Sequence, residues 1–176
     1  MTCILPGITT LEQHVTQLQI HPESYRPERC PHCGRSGLWC HGGYGRKADR
    51  GSGELNPVFI PRFQCPHCTR TCSVLPQCLP PRRWHLWAVQ AAVLLGVLAG
   101  QSLRRLSRTV APGRHTIRRW MARWRACFPL HAFHLRNRFP ALGRHPDMEA
   151  LWPATLALLP LGGAMHLLHQ AGVAIP

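Results

Sequence analysis

Acidic residues are scarce in this sequence. Seven Asp and Glu stand against 21 Lys and Arg in 176 residues, so the formal net charge is +14 at pH 7, and no carboxylate lies between Glu54 and Asp147. Lysine is nearly absent as well, since Lys47 is the single lysine. The planar guanidinium of arginine binds phosphates and guanine edges in a bidentate way, so this composition favours a nucleic acid as the partner. A high-GC genome would also favour arginine over lysine, but it does not explain the missing carboxylates.

A long uninterrupted apolar segment is also missing. The longest run, residues 86–100, is shorter than a membrane-spanning helix requires and contains Gln90, so we expect a buried core helix and no membrane partner. The N-terminal residues MTCILP lack the charged start and apolar stretch of a signal peptide. Nine cysteines, an odd number, then predict a reducing, cytoplasmic location in which metal binding is preferred to disulfides.

The first eighty residues predict one helix followed by short strands. A capping box from Thr9 to Glu12 precedes apolar residues at helical spacing, which predicts an amphipathic helix over residues 9–20. After Pro22 and Pro27, apolar pieces are separated by Gly and Pro. They predict strands at 38–41, 58–64 and 71–75, with an exposed polar tip at 46–56.

Helical patterns dominate the rest of the chain. Helices are predicted at 84–99, at 101–109 and from the turn 111–113 to about Phe128, where Pro129 ends the third helix. A basic linker and two short apolar helices divided by Pro160 follow. The predicted class is α+β: a small β zinc ribbon, a three-helix helix-turn-helix unit and a short helical C-terminal segment. The predicted domains are 1–27 (N-terminal helical segment), 28–80 (four-cysteine zinc ribbon), 82–128 (helix-turn-helix) and 129–176 (linker and short apolar helices).

Two near-copies of one knuckle, CPHCG and CPHCT, carry the strongest signal. Each CxxC spacing lets two sulfurs face one ion, and two knuckles supply the four thiolates of a tetrahedral zinc site. We therefore predict that Cys30, Cys33, Cys65 and Cys68 bind a structural zinc, with Gly34 at positive φ and Thr69 as a departure at the matching position. The alternatives are a redox dithiol and a chance pairing of the two knuckles. A thioredoxin-like dithiol is disfavoured because neither CxxC lies at a strand-to-helix junction.

Other cysteines and histidines lie close enough along the chain to replace a ligand. We expect each of them to be a packed or surface residue instead: Cys40, Cys72, Cys78, His32, His41 and His67.

Arginines cover the exposed faces of the predicted third helix. Ile117, Trp120, Met121 and Trp124 recur with helical spacing and predict one buried stripe. A helix of this kind after a Pro-Gly turn is typical of a helix-turn-helix whose second helix enters the major groove. Base-edge contacts are predicted for Arg114, His115 and Arg119, with Thr116 beside them, and phosphate contacts for Arg104, Arg105, Arg108, Arg118 and Arg123. A merely solvated basic face is the alternative.

With these two modules in order, the chain resembles a family of bacterial transposase-like proteins that is related to insertion-sequence transposases. The resemblance rests on CPHCG, CPHCTRTCSVLP and the segments QSLRRL and TIRRW, and it covers roughly residues 25–128. It implies that the ribbon and the helices bind element DNA. In such families a separate RNase H-like domain with three metal-binding carboxylates carries out strand transfer, and only Asp147 and Glu149 follow the predicted helix-turn-helix here.

The resemblance therefore predicts double-stranded DNA as the partner and no enzymatic activity. The chain is expected to act as an accessory, regulatory or truncated transposase, with a second copy or a transposase as further partner. Two alternatives stay open: a protein-assembly module with structural zinc and an incidental basic face, and an RNA-binding zinc-ribbon protein.

Overall fold

A computed structural model describes residues 2–48, 57–81, 85–173 and 175. The chain divides into two compact units, Met1–Leu86 and Trp87–Pro176, which we call the sheet unit and the helical unit. The described residues form a four-stranded mixed sheet and six α-helices, which confirms the α+β class. The predicted polar tip falls mainly on residues 49–56, outside the described residues.

The sheet has the strand order β1-β4-β3-β2. These strands are β1 (Thr2–Leu5), β2 (Trp39–Arg46), β3 (Val58–Gln64) and β4 (Thr71–Pro76). The three predicted strands are confirmed, whereas β1 was not predicted because four residues carry little periodicity of their own. β1 pairs in parallel with β4, and the other neighbours are antiparallel. β2 is therefore an edge strand, and most of its residues are exposed.

Two separate hydrophobic clusters serve the sheet. Cys72 and Val74 of β4 pack in the first cluster, together with Tyr25 and Phe63, whereas Leu75 packs in the second. Successive side chains of a strand point to opposite faces, so the two clusters lie on the two faces of β4. Each face of this sheet thus has its own small core.

The first helix, α1 (Leu11–Ile20), begins one residue later than the predicted capping box. Thr10 is the N-cap and Gln13 closes the box, because the Gln13 side chain accepts from the Thr10 backbone while Thr10 Oγ1 accepts from the Gln13 backbone. A 3-10 turn at Pro22–Tyr25 follows the helix.

His14 of α1 is completely buried and joins three parts of the sheet unit. Its Nε2 lies 2.9 Å from the carbonyl oxygen of Phe59 and must therefore donate the hydrogen bond. In that neutral tautomer Nδ1 accepts from the Tyr25 hydroxyl, 2.5 Å away. Burial lowers the pKa of His14 and raises that of Tyr25, so both groups are held neutral.

The helical unit begins with three helices, α2 (Trp87–Leu98), α3 (Leu103–Thr109) and α4 (Arg114–Arg138). Ser102 caps α3 by accepting from the backbone N–H of Arg105. Gly96 allows α2 and α3 to approach closely, since a Cβ at this position would lie 2.5 Å from Cδ2 of the buried Leu106. Residues 110–113 form the short connection between α3 and α4.

The predicted end of the third helix before Pro129 is wrong. α4 continues through Pro129 to Arg138, so much of the predicted basic linker is helical. An interior proline removes one backbone hydrogen bond and costs about 3 kcal/mol. The turns beyond it bury His131, Ala132 and Leu135, and this burial offsets the cost of the proline.

Two short helices, α5 (Met148–Leu158) and α6 (Leu161–Gln170), complete the unit on either side of Pro160, as predicted. Trp152 of α5 packs edge-to-face on Trp124 of α4, with ring centroids 4.7 Å apart. Within the described residues no single helix is long and apolar enough to cross a membrane, and α5 and α6 meet that test only as a pair bent by 102°.

Candidate metal centre and arginine face

The two cysteine knuckles have the same backbone structure. In the first, Cys30 N–H donates to Arg35 O at 2.8 Å and Gly34 N–H donates to Cys30 O at 2.8 Å. In the second, Cys65 N–H donates to Arg70 O and Thr69 N–H donates to Cys65 O, both at 3.0 Å. The repeated sequence pattern thus folds into a repeated turn, and the second knuckle connects β3 to β4.

Both knuckles require a residue at positive φ after the second cysteine. Gly34 has φ +73°, as predicted, and Thr69 has φ +58°. A β-branched side chain is uncommon in this left-handed region and costs of order 1–2 kcal/mol there. The second knuckle therefore keeps the same turn as the first, with strain at Thr69.

The four cysteines predicted as ligands meet at one point. All four Sγ atoms lie within 4.8 Å of one another, and the two contacts between knuckles, Cys30 with Cys68 and Cys33 with Cys65, are both 3.6 Å. Four sulfurs at about 2.3 Å from a tetrahedral ion would be separated by about 3.8 Å. The donor set therefore fits one metal ion with little rearrangement.

Backbone donors prepare one thiol of each knuckle for deprotonation. Burial opposes ionisation of Cys30, but the backbone N–H groups of His32 and Cys33 outweigh it and lower the pKa of Cys30 to about 7. The backbone N–H of Cys68 lowers the pKa of Cys65. At Cys33 the Arg35 N–H lowers the pKa, but burial and the neighbouring thiols outweigh it and raise the pKa to about 11. Since a bound metal takes thiolates, metal binding at this site would release protons, and the metal affinity would depend on pH.

None of the alternative ligands joins this cluster. Among the described residues, Cys30, Cys33, Cys65 and Cys68 are the one group of His, Cys, Asp or Glu side chains close enough to hold a metal. Cys40 is exposed on β2, and Cys72 is buried. His67 instead contacts the Arg35 side chain at 3.3 Å.

The arginines predicted to bind DNA lie on the exposed surfaces of α3 and α4. The apolar stripe of α4 that was predicted to be buried is confirmed, with every member at most 3% exposed. In the described part of the chain, none of the predicted arginines has an ion-pair partner, and the salt bridge found there joins Arg26 to Glu23. All of the predicted residues are exposed except Thr116, which is half-buried: Arg104, Arg105, Arg108, Arg114, His115, Arg118, Arg119 and Arg123.

The helical period separates the predicted residues of α4 into two groups. At 100° per residue, His115 and Arg119 lie opposite the buried stripe. Arg114 and Arg118 lie on one flank of the helix and Arg123 on the other. The structure thus brings the predicted base-reading residues His115 and Arg119 onto the most outward face, whereas Arg114 lies on a flank.

Sequence reasoning missed two features of these sites. The Tyr25–His14–Phe59 chain gave no signal because its members lie far apart in the sequence. Arg125, for which no contact was predicted, lines a cleft together with Arg118. The seven-residue spacing of these arginines indicates that they share one flank of the helix.

The comparisons with known proteins give one match. No curated protein and no solved structure matches the chain. A family described as "Domain of unknown function (DUF6431)" matches residues 30–120. This range begins at the first cysteine of the four-thiol cluster and ends within α4, so it includes all four thiols and most of the exposed arginines. With about half of its length matched, the chain belongs to the DUF6431 family.

Proposed function

We propose that the chain is a non-catalytic DNA-binding protein of a transposable element, built from a zinc ribbon and a helix-turn-helix. It acts in this proposal as an accessory, regulatory or truncated transposase, bound to double-stranded DNA. The connection to transposases rests on the sequence motifs, and the DNA-binding role rests on the arrangement of the helical unit.

The four-thiol cluster supports a structural zinc. Thiolates are soft ligands that favour Zn²⁺, and four of them leave no open position for a water or substrate. Cys30, Cys33, Cys65 and Cys68 would hold the ion, which would supply folding energy to the ribbon.

The connection between α3 and α4 supports a helix-turn-helix. Four residues, 110–113, join the helices, and Gly113 is the N-cap of α4. This length and the glycine are typical of the motif, in which the second helix reads the major groove.

The outward face of α4 is the observation that carries the proposal. His115 and Arg119 are exposed on this face, opposite an apolar stripe whose members are at most 3% exposed. Arg118 is exposed on the adjoining flank. The two carboxylates of the helical unit, Asp147 and Glu149, lie outside this helix, near the start of α5. A cationic face that is not neutralised by carboxylates attracts DNA phosphates, and a guanidinium group on this face can bind the edge of a guanine base.

The test is selection of bound duplexes from a random DNA pool by the zinc-loaded chain. We expect one enriched motif, and the H115A/R119A double variant should lose the motif while keeping much of the salt-dependent affinity. Arg144→Ala removes one charge elsewhere in the helical unit and serves as the control. Recovery of no motif, with weak binding that is insensitive to salt, would exclude a sequence-specific reader.

A second candidate, a protein-assembly module, is favoured by an apolar patch on the later turns of α4. Leu130 and Phe133 are 57% and 58% exposed, one helical turn apart, and no charged residue lies between Arg125 and Arg136. Exposed apolar groups in a segment without charged residues favour a contact with protein.

The L130S/F133S double variant separates this candidate from the first. If the patch mediates assembly, the variant should lose a concentration-dependent oligomer in analytical ultracentrifugation and keep its DNA affinity. If the wild-type chain is monomeric by itself and forms no complex with a transposase, the second candidate is excluded.

A further inference from the structure

A cleft lies beside the outward face of α4. It lies between the α2–α3 corner and α4 and has a volume of about 380 Å³. The buried side chain of Met121 contributes to its lining, and the exposed polar side chains that line it are those of Gln101, Ser102, Arg118 and Arg125. The cleft thus combines an apolar wall with two hydrogen-bonding side chains and two guanidinium groups.

The two arginines belong to one flank of α4. Arg118 and Arg125 are seven residues apart, which places them two turns from each other on almost the same side, about 10 Å apart along the axis. Among the described residues no carboxylate lines the cleft, and neither guanidinium takes part in a salt bridge. The site therefore has two positive charges available for an anionic ligand.

The polar residues of the corner are held in position and keep free donors. The backbone N–H of Gln101 donates to Gly96 O at 2.9 Å, which fixes the corner after α2. Ser102 Oγ accepts from Arg105 N–H at 3.2 Å, and its own hydroxyl hydrogen remains available. Together with the Gln101 side-chain amide, it adds neutral donors to the lining of the cleft.

We infer that this cleft binds the phosphodiester backbone of duplex DNA, with Arg118 and Arg125 as the charged contacts and Gln101 and Ser102 as neutral donors. The inference deepens the proposed function and rests on it. With His115 and Arg119 on the outward face of α4, the flank of the same helix meets the strand that borders the groove. Arg125 is thus a further DNA contact, and the cleft fixes the position of α4 relative to the DNA backbone.

The experiment measures duplex affinity of the zinc-loaded full-length chain between 50 and 300 mM salt, for a selected motif and a shuffled duplex. R125Q should weaken binding to both duplexes by the same factor. It should reduce the slope of log K against log salt by about 0.9, and R118Q/R125Q should reduce it by about twice that amount. Q101A should weaken binding by about threefold to tenfold and leave the slope unchanged, because it removes a neutral donor.

R144Q is the matched control, because it removes one charge from an exposed arginine of the same unit outside the cleft. Its slope should equal that of the wild type. If the wild type binds duplex DNA in a salt-dependent way and R125Q shows the same slope of log K against log salt, the cleft is not a phosphate site. The proposed function would stand in that case. A wild-type chain without salt-dependent duplex binding would remove the proposed function and the inference together.

Discussion

The sheet unit and the helical unit are stabilised in different ways. Among the described residues, the helical unit has one continuous core of nineteen buried side chains, whereas the clusters of the sheet unit contain eight and five. Small cores of this kind rarely stabilise a module alone, and a metal or disulfides commonly add what is missing. The comparison places the four-thiol cluster in the unit with the smaller cores, where a bound metal would contribute most to stability.

Removal of the metal should have the largest effect and should act on one unit. Structural zinc contributes about 10–16 kcal/mol in small metal-dependent domains. Chelation, or Cys65→Ser, should unfold the sheet around the knuckles, while the helices of the helical unit persist. Metal analysis of the purified chain should give one ion per molecule, and circular dichroism with limited proteolysis should show which residues lose protection.

Cys40→Ser is the control for this prediction, because Cys40 is exposed and lies outside the cluster. It should bind metal and resist proteolysis as the wild type does. If the sheet unit is equally stable after complete chelation, its two hydrophobic clusters are sufficient for stability. The proposed difference between the two units would then be wrong.

Trp152→Ala should produce the opposite pattern, with a smaller effect. Trp152 is fully buried and packs against Trp124 and His131, so its truncation should cost about 3–5 kcal/mol. The helical unit should lose its cooperative thermal transition, and the metal content should stay unchanged. Leu158→Ala, at an exposed position of the same helix, should leave the transition in place. Loss of metal in Trp152→Ala would contradict the separate stabilisation of the units.

The sequence predicted the elements that carry a local pattern. β3 appears at the predicted residues, and the two knuckles place four thiols together as their spacing requires. The predictions failed where tertiary packing overrides a local rule. A proline such as Pro129 disfavours continuation of a helix because it lacks a backbone N–H. The burial of Leu135 and its neighbours nevertheless keeps α4 intact.

A pH dependence should distinguish the sheet unit further. Burial lowers the pKa of His14, so the folded unit binds fewer protons at this site than the unfolded chain does. The stabilisation from neutral His14 is therefore fully present above the unfolded pKa of about 6.5 and declines as the pH falls towards the folded value. His14→Gln keeps a donor near Phe59 O but does not titrate, and it should cost about 1–2 kcal/mol at pH 7.5.

Urea unfolding of both metal-loaded proteins from pH 7.5 to 5.5 provides the measurement. The contribution of the thiolates is common to both proteins, so the difference in unfolding free energy isolates His14. This difference should shrink as the pH falls. A difference that stays constant would mean that His14 does not contribute to the pH dependence.

The smallest predicted effect compares the two knuckles. Thr69→Gly should stabilise the metal-loaded sheet unit by up to about 1 kcal/mol, because it relieves a threonine at positive φ. Gly34→Ala should destabilise it by about 1 kcal/mol, since it introduces the same strain into the first knuckle. Metal retention against a competing chelator reports both changes. Equal retention in the two variants would refute the strain assigned to Thr69.

The parts of the candidate sites that the sequence did not predict depend on distant contacts. The cleft at Arg118 and Arg125 exists because the α2–α3 corner lies beside α4, and the tight approach at Gly96 helps to form this corner. No spacing in the sequence specifies that approach. The exposed arginines themselves were predictable, because helical period and the buried tryptophans assign the faces of α4.

The affinity of the zinc-loaded chain for its selected duplex, compared with that of R114A/R118A/R119A, tests the central claim most directly. The triple variant should keep its metal and its thermal transition but lose at least a hundredfold in affinity, since each good contact is worth about 1–3 kcal/mol. Unchanged affinity in a folded triple variant would contradict DNA recognition by α4.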